Sequence, residues 1–424
     1  MFRDPNAMIV LAGVLLLAFS SGLVGTFTFL RKRALVGDAV AHSILPGVCL
    51  AFMIGDSRNM LYLMLGALIA GWLSLFSMDV ILRKSKIKSD TATALVLSVF
   101  FAAGIFLLTI IQQSGKGAQS GLDQFLFGKA AAMLPQDVLV FAISSISIVL
   151  LIFIFYKPFK IVSFNADYGR SIGMKVGAYE FLLSTLTVLA VASGIQAVGV
   201  VLMAALLITP AAAARFWTDR LSYMLIISAV MAMISAFLGT WISYTSSGMP
   251  TGPWIIMVLS VIAVLSIFIA PKTGILAKFL QARRNSNKIL LENALKSFYL
   301  AGEKVNNFKI QKTEIQWQSI CNLNGAVLTK VLRKLNRMKL LLKLGEAWQL
   351  SDSGIEESKR IVRLHRLWEL YLNQRLNLKP DHVHEGAEAM EHLITPELEA
   401  LLSKELGNPE LDPHNSQIPY STKP

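Results

Sequence analysis

The chain has 424 residues, 54% of them hydrophobic, with a mean hydropathy of +0.55 and a formal net charge of +13. Such an average excludes an ordinary soluble globule, because the apolar residues cluster into runs of roughly 20, enough to cross a hydrocarbon core about 30 Å thick. The two cysteines, Cys49 and Cys321, fall in regions of different composition, so no disulfide framework is expected.

Apolar runs at about 8–30, 35–54, 60–82, 91–112, 136–156, 180–194, 196–217, 221–246 and 252–270 predict membrane-spanning helices. The pair from 180 to 217 also reads as one broken helix, so the count is eight or nine. The first run is followed, not preceded, by basic residues ("RKR", 31–33), which reads as a spanning helix rather than a cleaved signal. Links at 31–33, 83–88, 156–160, 218–220 and 271–284 are far richer in Lys and Arg than those at 55–59, 112–121 and 246–253. The basic set is therefore expected in the cytoplasm, together with everything beyond residue 280. Residues 1–280 hold 19 basic and 10 acidic residues, so much of the positive charge reflects this asymmetry and not a nucleic-acid partner.

Within the apolar half, "GDAVAHSILPG" (37–47) carries Asp38 and His42, the latter the only histidine before residue 365. Positions i and i+4 share a helix face. Two readings fit. Asp38 caps a helix and His42 bonds a neighbour, or the two line a path for a borderline divalent ion such as Mn, Fe or Zn, since ionisable groups in a span are costly and mark sites by default. Gly and Pro at Pro46–Gly47, Gly194, Gly199 and Pro210 permit bends where backbone faces a cavity or another helix.

"GDAVAHSILPG", "GLDQFLFG" (121–128), "GVVLMAALLITPAAAARF" (199–216) and "MPTGP" (249–253) occur in an order that resembles the permease subunits of bacterial metal-uptake ABC transporters, the zinc, manganese and iron permease family. The resemblance covers about 1–275. It implies a polytopic helical bundle whose ion path includes Asp38 and His42, with Asp123 as a weaker candidate in an outer link. It implies a short helix docking on an ATPase around Asp167, Gly169, Gly173 and Gly177. The chain carries no GxxxxGK[ST] phosphate loop, so it is not read as an enzyme, and ATP hydrolysis is expected on a separate subunit. Further implied partners are an extracytoplasmic metal-binding protein, a second permease copy or sister permease, and membrane lipid. The alternatives are a siderophore or cobalamin permease, whose large substrate would not need Asp38 and His42, and a secondary carrier working without an ATPase.

Beyond residue 280 the chain reads as soluble and splits by charge: 281–380 hold 19 basic and 8 acidic residues, 381–424 only 2 basic and 9 acidic. A basic half suggests an anionic partner, nucleic acid or the inner leaflet. Residues 288–301 predict a helix. Residues 314–354 predict helix, turn at "NLNG", helix and two short strands, a winged helix-turn-helix pattern over 281–355 that occurs in DNA readers and in protein-docking domains alike. Val327, Leu328, Val331, Leu332 and Leu335 form the apolar face of the second helix. Asn324, Thr329, Lys330 and Arg333 are its candidate DNA contacts.

In 356–424, Glu388, Glu391 and His392 stand at i, i+3 and i+4, and His365 and Glu369 at i and i+4. Two such faces meeting would supply mixed oxygen and nitrogen donors suited to Mn or Fe(II). "RIVRLHRLWELYL" (360–372), "HVHEGAEAMEHLIT" (382–395) and "GNPELDPHNSQIP" (407–419) are similar to the dimerisation and metal region of the diphtheria toxin repressor family. That resemblance implies a metal set of His365, Glu388, Glu391 and His392, with Glu369 and His384 at a neighbouring site. It also implies ligands on the first helix, where this chain has Asn293 and Lys296, a poor donor and a repelling ammonium. The tail is thus expected to sense metal and gate transport, to act as a tethered or proteolytically released repressor, or to serve as a dimerisation module.

Overall fold

The computed structural model describes residues 4–31, 34–55, 60–113, 128, 133–245, 249–376 and 396–420, and the chain divides into two compact units, Met1–Lys278 and Phe279–Pro424. Among the described residues of the first unit are α1 (Pro5–Leu30), α2 (Ala34–Ser43), α3 (Leu45–Gly55), α4 (Met60–Lys84), α5 (Ser89–Ile111) and α6 (Pro135–Ile154). They are followed by α7 (Tyr156–Phe164), α8 (Ala166–Ser171), α9 (Val176–Arg215), α10 (Leu221–Thr245) and α11 (Thr251–Ile269). Nine stretches among these residues are long and apolar enough to span a membrane, α2 with α3 forming one and α9 supplying two. Helices satisfy their own backbone groups, which lipid cannot do.

The 40-residue α9 is broken at Gly199, whose φ of 82° and ψ of 165° are open to glycine and strained for other residues. The reading of 180–217 as one broken helix and as two spans are therefore both correct descriptions. The α1 and α9 helices pack centrally, with Val14, Leu17, Leu202, Met203 and Leu206 fully buried. Apolar side chains such as Phe106, Ile69 and Phe153 stay exposed on the outer helices, as lipid-facing positions require. Helices meet through small residues: a Cβ on Gly47 of α3 would lie 2.1 Å from the Gly66 carbonyl oxygen of α4, and one on Gly66 2.3 Å from that of Gly47.

The link 157–180, expected as a mixed cytoplasmic loop with one short helix, is largely helical. The amphipathic α7 buries Phe159 and Val162 before α8 begins.

In the second unit, α12 (Ile275–Glu303, within this unit from Phe279 on), α13 (Glu314–Cys321) and α14 (Gly325–Arg337) precede β2 (Leu341–Leu344) and β3 (Ala347–Leu350). A two-residue strand β1 (Lys312–Thr313), absent from the sequence expectation, completes an antiparallel sheet of order β1-β3-β2. Gly345, at φ 61°, opens the tight turn of the wing. Asn322, in the left-handed region, ends α13, and Asn324 caps α14 through its side chain. Trp317 stacks on Phe298 at 3.5 Å, over Leu328, Leu332, Leu335 and Leu350. Val327, expected on this apolar face, is exposed instead, because it lies at the edge of the stripe. The long α15 (Asp352–Leu376) and α16 (Pro396–Glu405) form a second cluster around Leu367, Leu402 and Ile418.

Candidate ion pathway and tail centre

Asp38 lies in the fifth position of α2, past any capping position, so the cap reading does not hold. Asp38 Oδ1 and His42 Nε2 stand 3.6 Å apart, too far for a hydrogen bond. Two donors each about 2.1 Å from one ion lie about 3.4 Å apart at a tetrahedral angle, so the spacing suits a shared cation. The helix is packed by α4, α5 and α9, and its Ala39, Val40, Ala41 and Ser43 are fully buried. Yet the His42 and Asp38 side chains remain 25% and 40% exposed. The His42 ring meets Phe101 of α5 edge-on at 5.1 Å, and its buried Nδ1 has no hydrogen-bond partner among the described residues. Asp123 lies outside the described residues. Gly128, the last residue of its motif, sits at φ 74° against the backbone of Val198 and Gly199, so that motif ends at the break in α9.

In α8, Asp167 pairs with Arg170 at 2.6 Å and Asn165 caps the first turn. Gly169 is buried where a Cβ would approach Val176 to 3.0 Å. Gly173, at φ 80°, turns the chain toward α9, and Gly177 lies in the first turn of α9. The sequence reading missed three exposed apolar residues here, Phe164, Tyr168 and Ile172. Their spacing of four was the available signal. At the same end of the unit, Arg31 and Glu180 pair at 3.3 Å and tie the end of α1 to α9.

In the tail unit, Lys330, Arg333, Lys334 and Arg337 of α14 are all exposed, as is Lys343 of the wing. Asn324 is occupied as a cap, and the Thr329 hydroxyl bonds the Glu314 carboxylate and the Gly325 carbonyl, so Thr329 is turned inward.

His384, Glu388, Glu391 and His392 lie outside the described residues. Of the expected metal set, His365 and Glu369 are described, and both are buried. His365 Nε2 lies 3.1 Å from Glu369 Oε1, and His365 Nδ1 lies 3.0 Å from Lys296 Nζ. No group of three or more metal-type donors occurs among the described residues. An ammonium has donors and no acceptor, so Nδ1 must present its lone pair to Lys296, and Nε2 carries the proton that Glu369 accepts. Both ring nitrogens of His365 thus have a partner among the described residues.

Next to it Arg366 is buried among acids. Its Nη1 and Nη2 donate to the two oxygens of Glu303 at 3.0 and 2.7 Å, and Asp412 lies 3.4 Å from Nε. Burial opposes the guanidinium charge, but the Glu303 bond and the charges of Glu303 and Asp412 outweigh it and raise its pKa. Burial pushes the Cys321 thiol up to about 11. Burial, then the Glu303 charge, pushes Tyr299 up to about 12.

A bundle of spanning helices around a broken central helix is the architecture of a multi-pass membrane protein. Residues 4–270 match the family model of the ABC 3 transport family, and residues 351–420 match that of the iron dependent repressor, metal binding and dimerisation domain. The chain is 41% identical over 377 residues to the manganese transport system membrane protein MntC of Bacillus subtilis (strain 168), covering 89% of this chain and 86% of that protein. It is 39% identical over 286 residues to the zinc transport system membrane protein TroC of Treponema pallidum (strain Nichols), covering 68% and 96%. Among solved structures it is similar to PsaBC from Streptococcus pneumoniae in complex with Fab, at 32% identity and a TM-score of 0.58 over 66% of this chain and 96% of that one. The chain belongs to the ABC 3 transport family, as a multi-pass bacterial membrane protein that carries an iron-dependent-repressor domain in its tail.

Proposed function

We propose that the membrane unit is the transmembrane subunit of an ATP-driven importer of a divalent transition metal, manganese or zinc, with iron a third candidate substrate. The observation that carries this is the Asp38–His42 pair: an acid and an imidazole 3.6 Å apart, partly exposed on a helix where Val36, Ala39, Val40, Ala41 and Ser43 are buried. Such a pair replaces water lost by an ion of borderline softness. The names of the relatives support manganese and zinc. Asp123 is a further candidate on the path. ATP hydrolysis belongs to a separate subunit docking on α8, where Asp167, Gly169 and Gly173 shape the loop, Gly177 begins the next helix, and Phe164, Tyr168 and Ile172 offer apolar contact. An extracytoplasmic metal-binding protein would deliver the ion, and a second permease would complete the path. The tail lies in the cytoplasm on this reading.

Uptake of radioactive manganese and zinc into cells expressing the full transporter tests the proposal. Asp38→Ala and His42→Ala are expected to lower it by about tenfold or more each at unchanged membrane abundance. Unaltered uptake in both variants would remove the pair from the path.

For the tail we propose a regulatory role in transport or transcription. The exposed cations of α14 and the wing favour contact with a polyanion, and DNA is the reading a winged helix-turn-helix supports best.

A further inference from the structure

We propose that Lys296 is the resident cation of the tail unit. Its ammonium holds the His365–Glu369 pair in place of a divalent ion, and this subsite takes no metal. Lys296, His365 and Glu369 are 7%, 5% and 3% exposed. A buried ammonium is costly unless it is paired and hydrogen-bonded. Here it donates to His365 Nδ1 at 3.0 Å, and the neutral ring passes a second hydrogen bond from Nε2 to Glu369 at 3.1 Å. The three groups form a line with positive charge at one end, negative charge at the other and a polarisable ring between. Such chains strengthen one another in a low-dielectric interior.

A metal bound by His365 needs the lone pair that the ammonium uses. A dication arriving there would also meet a like charge within hydrogen-bond distance of its own ligand. Leu295, Phe298 and Tyr299 beside it on α12 are buried as well, so the ammonium lies within a packed part of the helix. Asn293, one turn earlier, turns a buried Oδ1 with no hydrogen-bond partner among the described residues. At the two α12 positions where the resemblance implies ligands, the chain thus carries one cation and one amide. The consequence is that α12 and α15 are joined permanently at this point, and an input that regulates the tail acts elsewhere than on His365.

The test counts manganese bound to the purified full chain in lipid nanodiscs, by elemental analysis and by the EPR signal of bound Mn(II). Chains that differ only at 296 or 365 are compared. Ions held by the membrane unit are common to all and cancel, so the inference stands or falls apart from the transport reading. The wild type and His365→Gln are expected to hold equal manganese. Lys296→Glu is expected to hold one more ion per chain, lost again in Lys296→Glu/His365→Gln. Lys296→Met, which keeps the buried stem and frees the Nδ1 lone pair, serves if the glutamate variant does not fold, and is expected to hold manganese that the wild type does not, lost again in Lys296→Met/His365→Gln. Loss of one ion from the wild type on His365→Gln would overturn the proposal. So would equal binding in the wild type and a folded Lys296 variant.

Discussion

Glu303, the last residue of α12, receives the guanidinium of Arg366 on both its oxygens, at 3.0 and 2.7 Å. A two-point pair fixes orientation as well as distance. With Lys296 and His365 it makes a second tie between α12 and α15, about two turns along. Arg366→Ala would strand Glu303 and withdraw a buried charge from Asp412. Asp412 keeps backbone donors from His414 and Ser416, and Glu303 is partly hydrated, so the cost is expected near the lower end for a broken buried pair, about 3 kcal/mol. Arg366→Met with Glu303→Gln is expected to cost less than the sum of the single changes. Pulse proteolysis of the full chain in urea, read on tail fragments, measures all four.

Contact between α3 and α4 depends on hydrogen atoms where other residues have a Cβ. An alanine methyl at Gly47 would sit 2.1 Å from the Gly66 carbonyl and 2.5 Å from the Ala70 Cβ. The backbones must part to admit it. Overpacking of this kind costs about 1–3 kcal/mol, so Gly47→Ala is expected to lower the unfolding temperature of the detergent-solubilised chain. Gly177→Ala is the contrast. Its Cβ meets nothing within 4 Å on α9, so helix propensity alone acts and the change is expected to stabilise by about 0.5–1 kcal/mol.

The spanning helices were legible because a membrane imposes one length and one composition, and the winged helix because its caps and alternations are local. The α7 helix was not: "YKPFKIVSF" mixes charge and aromatics, and its burial of Phe159 against Phe27 of α1 is a tertiary fact. A strand of two residues, Lys312–Thr313, carries no period at all. The Asp38–His42 pair could be placed on one face by spacing, whereas its packing among α4, α5 and α9 could not. Lys296 was visible as a departure from a ligand pattern and was read as a source of repulsion. Its partner lies 69 residues away, and only folding brings its ammonium to the imidazole.

If the tail reads DNA, Lys330 and Arg333 neutralise phosphates from exposed positions on α14. Each phosphate contact removed lowers the slope of log K against log salt by about 0.9. Lys330→Gln/Arg333→Gln is therefore expected to weaken binding of the nanodisc-held chain to its promoter DNA at low salt and flatten that slope by about 2. Loss should be similar across sequences, because these are backbone contacts. A wild-type chain with no measurable DNA affinity at low salt would exclude this role for the tail.

A half-buried thiol and a buried phenol predict how the tail unit responds to alkali. The Cys321 thiol is pushed up to about 11 and the Tyr299 phenol to about 12, from 9.0 and 10.0, because the interior disfavours their anions. Well below pH 9 both are protonated folded or unfolded, and neither contributes a pH dependence. As pH rises, the unfolded chain gives up these protons first, so the folded state binds more protons and stability falls. The loss begins with Cys321 between about 9 and 11 and continues with Tyr299 between about 10 and 12. Tyr299 is buried against Phe308, and its share amounts to about 2–3 kcal/mol by the top of that window. Cys321→Ala is expected to delay the onset, and Tyr299→Phe to remove the later part of the fall, in pulse proteolysis across the pH range. Arg366 lowers the Tyr299 pKa while Glu303 raises it, so Arg366→Met should move tyrosinate formation, followed by its absorbance against Tyr299→Phe, to still higher pH, and Glu303→Gln should move it down.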